Sequence, residues 1–166
     1  MKRVLFLIVI LFAASPAFSQ ATSATATNLT AESYLDTPPT LATYCLQAAT
    51  GQTSTTCTSN LTDVYWFKFT LPITITSCAV KITVVPAAFD ATVDFYDPSL
   101  VFKQCVNAAG NAGTEYLRTN PNTPDFNVVT TGSTYYFRVS STTDVLGNCF
   151  QVGLEYYRSE EHTSEL

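Results

Sequence analysis

The chain has 166 residues, with 8 Lys+Arg against 13 Asp+Glu, a net charge of -5 and a single His. Hydrophobic residues make up 46% and charged residues 13%, which excludes both a disordered polyelectrolyte and a nucleic-acid binder. The length fits one domain rather than two.

Residues 1–19 read as a secretory signal peptide, with Gln20 as the first mature residue. Lys2 and Arg3 supply the positive start, Val4 to Ala14 is an apolar run, and Pro16 precedes the small-residue site Ala17-Phe18-Ser19. The run is much shorter than the roughly 18 apolar residues a bilayer span needs. No Cys follows it, which argues against lipoprotein processing. The expected location is therefore secreted, extracellular or at the cell surface, with no membrane span.

Residues 20–42 are expected to be a flexible leader or linker. Gln20 to Thr30 alternates Ala, Thr and Ser with no apolar period. Residues 43–157 are expected to be one β-sandwich domain. Its strands announce themselves by period-two alternation, which puts successive side chains on opposite faces. In Val64 to Leu71 the inward set is Tyr65, Phe67, Phe69 and Leu71, with Val64, Trp66, Lys68 and Thr70 opposite. Lys81 to Val85 turns Ile82 and Val84 inward, and Pro86 ends the strand by removing a ladder donor. Thr92 to Tyr96 separates Val93 and Phe95 from Asp94 and Tyr96. Thr134 to Val139 buries Tyr135, Phe137 and Val139 and leaves Tyr136 and Arg138 outside. The last strand turns Phe150, Val152, Leu154 and Tyr156 inward. Turn clusters lie between them: Asp97-Pro98-Ser99, Asn107 to Gly113, Asn120 to Pro124, Thr131-Gly132-Ser133 and Ser140 to Asn148. Short alternating strands with regular turns predict an all-β, antiparallel β-sandwich.

The Cys residues are 45, 57, 78, 105 and 149, all beyond the leader, in a chain bound for an oxidising compartment. Two pairs with one left over allow about 15 connectivities. Cys45–Cys57, bracketing a Gly, Thr and Ser-rich loop, is the first choice, and Cys105–Cys149 the second, with Cys78 unpaired or buried. A metal or reactive-thiol role is the weaker reading, because there is no CxxC pair and residues 20–157 hold no His.

Four segments in order resemble the bacterial pre-peptidase C-terminal (PPC-like) domains. Asp63-Val64-Tyr65-Trp66-Phe67-Lys68-Phe69 resembles their opening D-x-Y-x-F strand, and Phe89 to Asp97 their "FDa-x-l-x-lyd" strand. Gly132 to Val139 resembles "G-x-x-Y-y-i-r-V", and Phe150 to Leu154 the closing "F-x-V-x-L". The resemblance spans Thr43 to Tyr157. It implies a jelly-roll-like sandwich of a kind that serves as a non-catalytic appendage of secreted proteases and of large surface proteins of Gram-negative bacteria. The extra Cys residues depart from the plainest members.

The chemistry to be weighed is sparse. Gly110 and Gly113 have no following Lys-Ser/Thr, so there is no phosphate loop. Asp90, Asp94 and Asp97 form the candidate metal site. Ca²⁺, a hard cation that takes several oxygen ligands, is the one candidate cofactor, although no DxDxDG spacing is present. Set against it, Asp90 caps a turn and Asp94 is merely solvated. Trp66, Tyr96 and Tyr136 fall opposite the core. They are either ligand-stacking residues of a carbohydrate-binding module, or covered by a second layer or the N-terminal segment, which is the favoured reading. Asn28-Leu29-Thr30 and Asn60-Leu61-Thr62 are glycosylation sequons where a host has the machinery.

The last nine residues, Arg158 to Leu166, break with the Thr-rich, β-branched character before them. The sequencing-library adapter AGATCGGAAGAGCACACGTCTGAACTC translates to Arg-Ser-Glu-Glu-His-Thr-Ser-Glu-Leu, identical to them. They are expected to be an adapter-derived artefact, which removes His162 from any mechanism and makes the chain a fragment of a longer protein. The resulting expectation is a secreted, non-enzymatic accessory or adhesion module. Its partners are other domains of the same parent protein, with glycans or surface polymers as external ligands. The alternatives are the carbohydrate-binding module and an appendage of a secreted protease whose catalytic domain lies outside this sequence.

Overall fold

The structure is a computed structural model that describes residues 22–33, 39–49, 52, 55, 57, 61–73, 78–119, 129–143 and 147–158, without the side chains of Cys78 and Arg158. The signal-like start, the turn 120–124, Asn60, the fate of the Cys78 thiol and the tail beyond Arg158 lie outside the described residues.

The strands in chain order are β1 (Thr27–Asn28), β2 (Glu32–Ser33), β3 (Ala42–Cys45), β4 (Gln47–Ala48), β5 (Asp63–Thr70) and β6 (Cys78–Pro86). They continue with β7 (Thr92–Tyr96), β8 (Phe102–Val106), β9 (Glu115–Arg118), β10 (Thr134–Ser141) and β11 (Cys149–Arg158). One sheet runs β1-β5-β10-β7-β8, with β4 also on β5; the other runs β2-β11-β6-β9, with β3 also on β11. From β5 onward the chain passes repeatedly between sheets, giving a jelly-roll-like β-sandwich.

The alternating residues form the layer between the sheets. Tyr65, Phe67, Phe69, Val93, Phe95, Tyr135, Phe137 and Val139 on one side meet Val80, Ile82, Val84, Leu117, Phe150, Val152 and Leu154 on the other. Aromatic rings dominate the layer: Phe67 stacks on Phe137 at 4.8 Å and meets Phe150 edge-on at 6.1 Å. Each such ring contributes its buried area plus a smaller geometric term. Pro86 closes β6, as its missing donor requires.

The expected all-β sandwich is the observed fold, with one detail added to it and one expectation corrected. The ladders are antiparallel except that β1 pairs parallel with β5 and β2 parallel with β11. The segment 20–42 is not a free leader over its described part: Thr27 and Asn28 pair with Phe67 and Lys68, and Glu32 and Ser33 with Glu155 and Tyr156. Two-residue strands carry too little alternation to show as a period, and their pairing depends on edges offered by strands far along the chain.

Candidate functional site

The side of the first sheet away from the core carries the residues singled out in the sequence. Alternation on β5, β7 and β10 sends Trp66, Asp94, Tyr96, Tyr136 and Arg138 outward, and strand register brings them together. Arg138 lies opposite both Trp66 and Asp94, and Tyr136 opposite Tyr96. Arg138 donates through Nε and Nη2 to Asp94 Oδ2 at 3.0 and 2.7 Å. The guanidinium lies 5.5 Å from the Trp66 ring and 5.8 Å from the Tyr96 ring. Thr55 donates to the other carboxylate oxygen, Asp94 Oδ1, at 2.7 Å, and Trp66 Nε1 donates to Gln52 Oε1 at 3.1 Å.

This face is covered. Trp66 and Tyr96 are 5% and 6% exposed and form a second apolar cluster with Ala26 and Val64. Tyr136 is half-buried, packed against that cluster with Ala49, Leu61 and Phe102. Trp66, Tyr96 and Tyr136 thus lie under a second layer rather than forming an open ring-stacking platform, the alternative weighed against that cover. A strand that is apolar on both faces needs cover on both, and residues from the N-terminal segment and before β5 supply it. Burial pushes the Tyr96 phenol up to about 12, with the nearby Arg138 charge pulling it back.

Arg138 and Asp94 are 1% and 0% exposed at the side chain. Burying two charges is costly unless geometry and further hydrogen bonds offset the desolvation. Here Thr55 and the two ring faces supply that offset, so the pair cross-links β7 to β10 and holds their register. The second sheet repeats the device: Lys81 Nζ lies 2.8 Å from Glu155 Oε2, with the Tyr116 ring 5.5 Å from the ammonium. Burial works against the Lys81 charge most strongly of the separate causes, but the hydrogen bond to Glu155 and the attraction of the Tyr157 and Glu155 charges together outweigh it and raise the Lys81 pKa.

The three candidate calcium ligands stand in three separate environments. Asp94 is in the ion pair just described rather than solvated. Asp97 holds a turn: its Oδ1 accepts from the N–H groups of Ser99 and Val101, and Lys103 lies 3.0 Å from Oδ2. Asp90 is half-buried, with Oδ1 lacking a hydrogen-bond partner among the described residues. No group of three or more His, Cys, Asp or Glu that could hold a metal ion occurs among the described residues.

The disulfides are Cys45–Cys149 and Cys57–Cys105, which replaces both expected pairings, Cys45–Cys57 and Cys105–Cys149. Cys45 and Cys149 are register partners on β3 and β11. Cys105 is the register partner of Asp94, on the edge strand β8, and Cys57 reaches it from the segment that carries Gln52 and Thr55. Proximity along the chain misleads for Cys45–Cys57, because the β3·β11 register sets Cys45 against Cys149 instead.

Sequence reasoning missed the buried acid Glu115, whose carboxylate accepts from the N–H groups of Ala108 and Ala109 and so folds the loop before β9. It also missed the ion pairs Arg138–Asp94 and Lys81–Glu155. The available signal was a single basic residue at an outward position of β10 and of β6, each able to meet an outward acid on a neighbouring strand.

No protein-family model matches the chain, and no curated protein matches it. Among solved structures it is similar to the pre-peptidase C-terminal domain of a collagenase from Bacillus anthracis. The identity is 13% and the TM-score 0.44, over 78% of this chain and 93% of that one.

Proposed function

We propose that the chain is a non-catalytic accessory module of a secreted or cell-surface protein, acting by spacing, shielding or weak adhesion through its acidic, Thr-rich surface. The observation that carries this reading is the use made of its buried ionisable groups. Arg138 and Asp94 join strands of one sheet, Glu155 binds Lys81 on the other, and Glu115 folds a loop. Groups that a catalytic centre would hold against a reacting atom are here engaged in holding strands and loops.

Two disulfides support an oxidising compartment, and the signal-like residues 1–19 support export to it. The partners are neighbouring domains of the parent protein, a protease domain among them, and surface polymers. Sequencing the source locus across the codon for Tyr157 tests the accessory role. A reading frame that runs into further domains is expected; a stop codon directly after Tyr157 would overturn it. Turnover by the mature chain in a panel of peptide and glycoside substrates would overturn the non-catalytic part.

A further inference from the structure

We propose that Tyr116, Arg118 and Lys81 form a binding site for an acidic polysaccharide, a chain of uronate sugars, on the outer face of the second sheet. The inference rests on the accessory reading and names the surface polymer in it. β9 is the edge strand of that sheet, and its alternation sends Leu117 into the core and Tyr116 and Arg118 to the outside. Tyr116 is 53% exposed, and it is the one exposed aromatic side chain among the described residues. The Lys81 ammonium lies 5.5 Å from its ring centroid, while the Lys81 side chain is only 16% exposed. The ring thus lies over the lysine and turns its other face to solvent.

Charge sets the kind of ligand. Lys81 and Arg118 are register partners, so two cations stand side by side on neighbouring strands. Like charges placed directly opposite repel each other. Glu155 pairs with Lys81 from the far side of β6, and Arg138 and Lys103 are likewise matched by Asp94 and Asp97. Arg118 is exposed and carries no acid partner among the described residues. A carboxylate on its guanidinium fork makes two parallel hydrogen bonds and relieves the repulsion with Lys81.

Tyr116 supplies the contact with the sugar itself. Residues two apart on one strand face stand roughly 6–7 Å apart, within the reach of a single uronate residue. The C–H groups on a pyranose face carry slight positive charge and meet the negative face of the aromatic ring. One sugar therefore covers Tyr116 while its carboxylate reaches Arg118. An added protein strand fits less well, because the Arg118 carbonyl on the β9 edge already accepts from the Gln104 side chain at 3.2 Å.

The oxidised mature chain is titrated by calorimetry with polygalacturonate, with dextran as the neutral polymer and polyglutamate as carboxylate without sugar. Polygalacturonate is expected to bind, dextran not to bind, and polyglutamate to bind several-fold more weakly. Tyr116→Ala and Arg118→Gln are each expected to weaken binding about tenfold, the loss of one ring contact or one charged hydrogen-bond pair. Tyr116→Phe, which keeps the ring, and Lys68→Gln, on the other sheet, are expected to leave it unchanged. In the unaltered chain, amide NMR shifts on adding oligogalacturonate are expected to gather on β6 and β9, a readout that needs no variant. The proposal is overturned if polygalacturonate does not bind, or if dextran or polyglutamate binds as tightly. It is also overturned if Tyr116→Ala and Arg118→Gln bind as the unaltered chain does, or if the amide shifts fall on the first sheet. None of these outcomes touches the accessory role, which the reading frame beyond Tyr157 decides.

Discussion

Arg138 and Asp94 show how much of this fold rests on single side chains. Each is buried, each is matched by the other, and Thr55 occupies the remaining carboxylate oxygen. Removing one partner leaves an uncompensated buried charge, so Asp94→Ala is expected to cost about 3–5 kcal/mol of stability. Asp94→Leu combined with Arg138→Met is expected to cost less than Asp94→Ala alone. Urea-unfolding midpoints of the single and paired variants check this, and equal losses would sink it. Tyr96, against the same guanidinium, sets an alkaline limit. Its folded pKa is raised to about 12, so the unfolded chain releases the phenol proton first. That contribution to stability is full below about pH 10 and is lost as pH rises toward 12. Tyr96→Phe is expected to flatten stability over that window, as read by urea unfolding at several pH values.

Among the elements, β5, β6, β7, β10 and β11 were legible because each alternates large apolar residues with polar or smaller ones over several positions. The edge strands β8 and β9 were not. Phe102–Val106 is half-buried throughout, so no face stands out, and Glu115–Arg118 begins with an acid buried in the loop it folds. That loop also depends on a close approach. A Cβ on Gly113 would lie 2.5 Å from the Ala109 carbonyl oxygen and Cβ. Gly113→Ala is therefore expected to cost about 1–3 kcal/mol through forced backbone displacement. The amides of Ala108 and Ala109, which donate to Glu115, should then exchange faster with solvent. An unchanged unfolding midpoint together with unchanged exchange would count against this account.

At the scale of the whole molecule, the disulfides span 104 and 48 residues of chain rather than closing a local loop. Linking such distant residues restricts the unfolded chain more than a short loop would. The sequence by itself determined the all-β class, the inward set of the long strands and the outward placement of Trp66, Tyr96, Tyr136 and Arg138. These follow from local alternation, which is a property of neighbouring residues. Only the tertiary structure decided the Cys pairing, the parallel joining of β1 and β2, the cover over Trp66 and the matching of Arg138 with Asp94. Each of these depends on register between strands far apart in the chain, and one residue of slip would send every side chain of a strand to the other face.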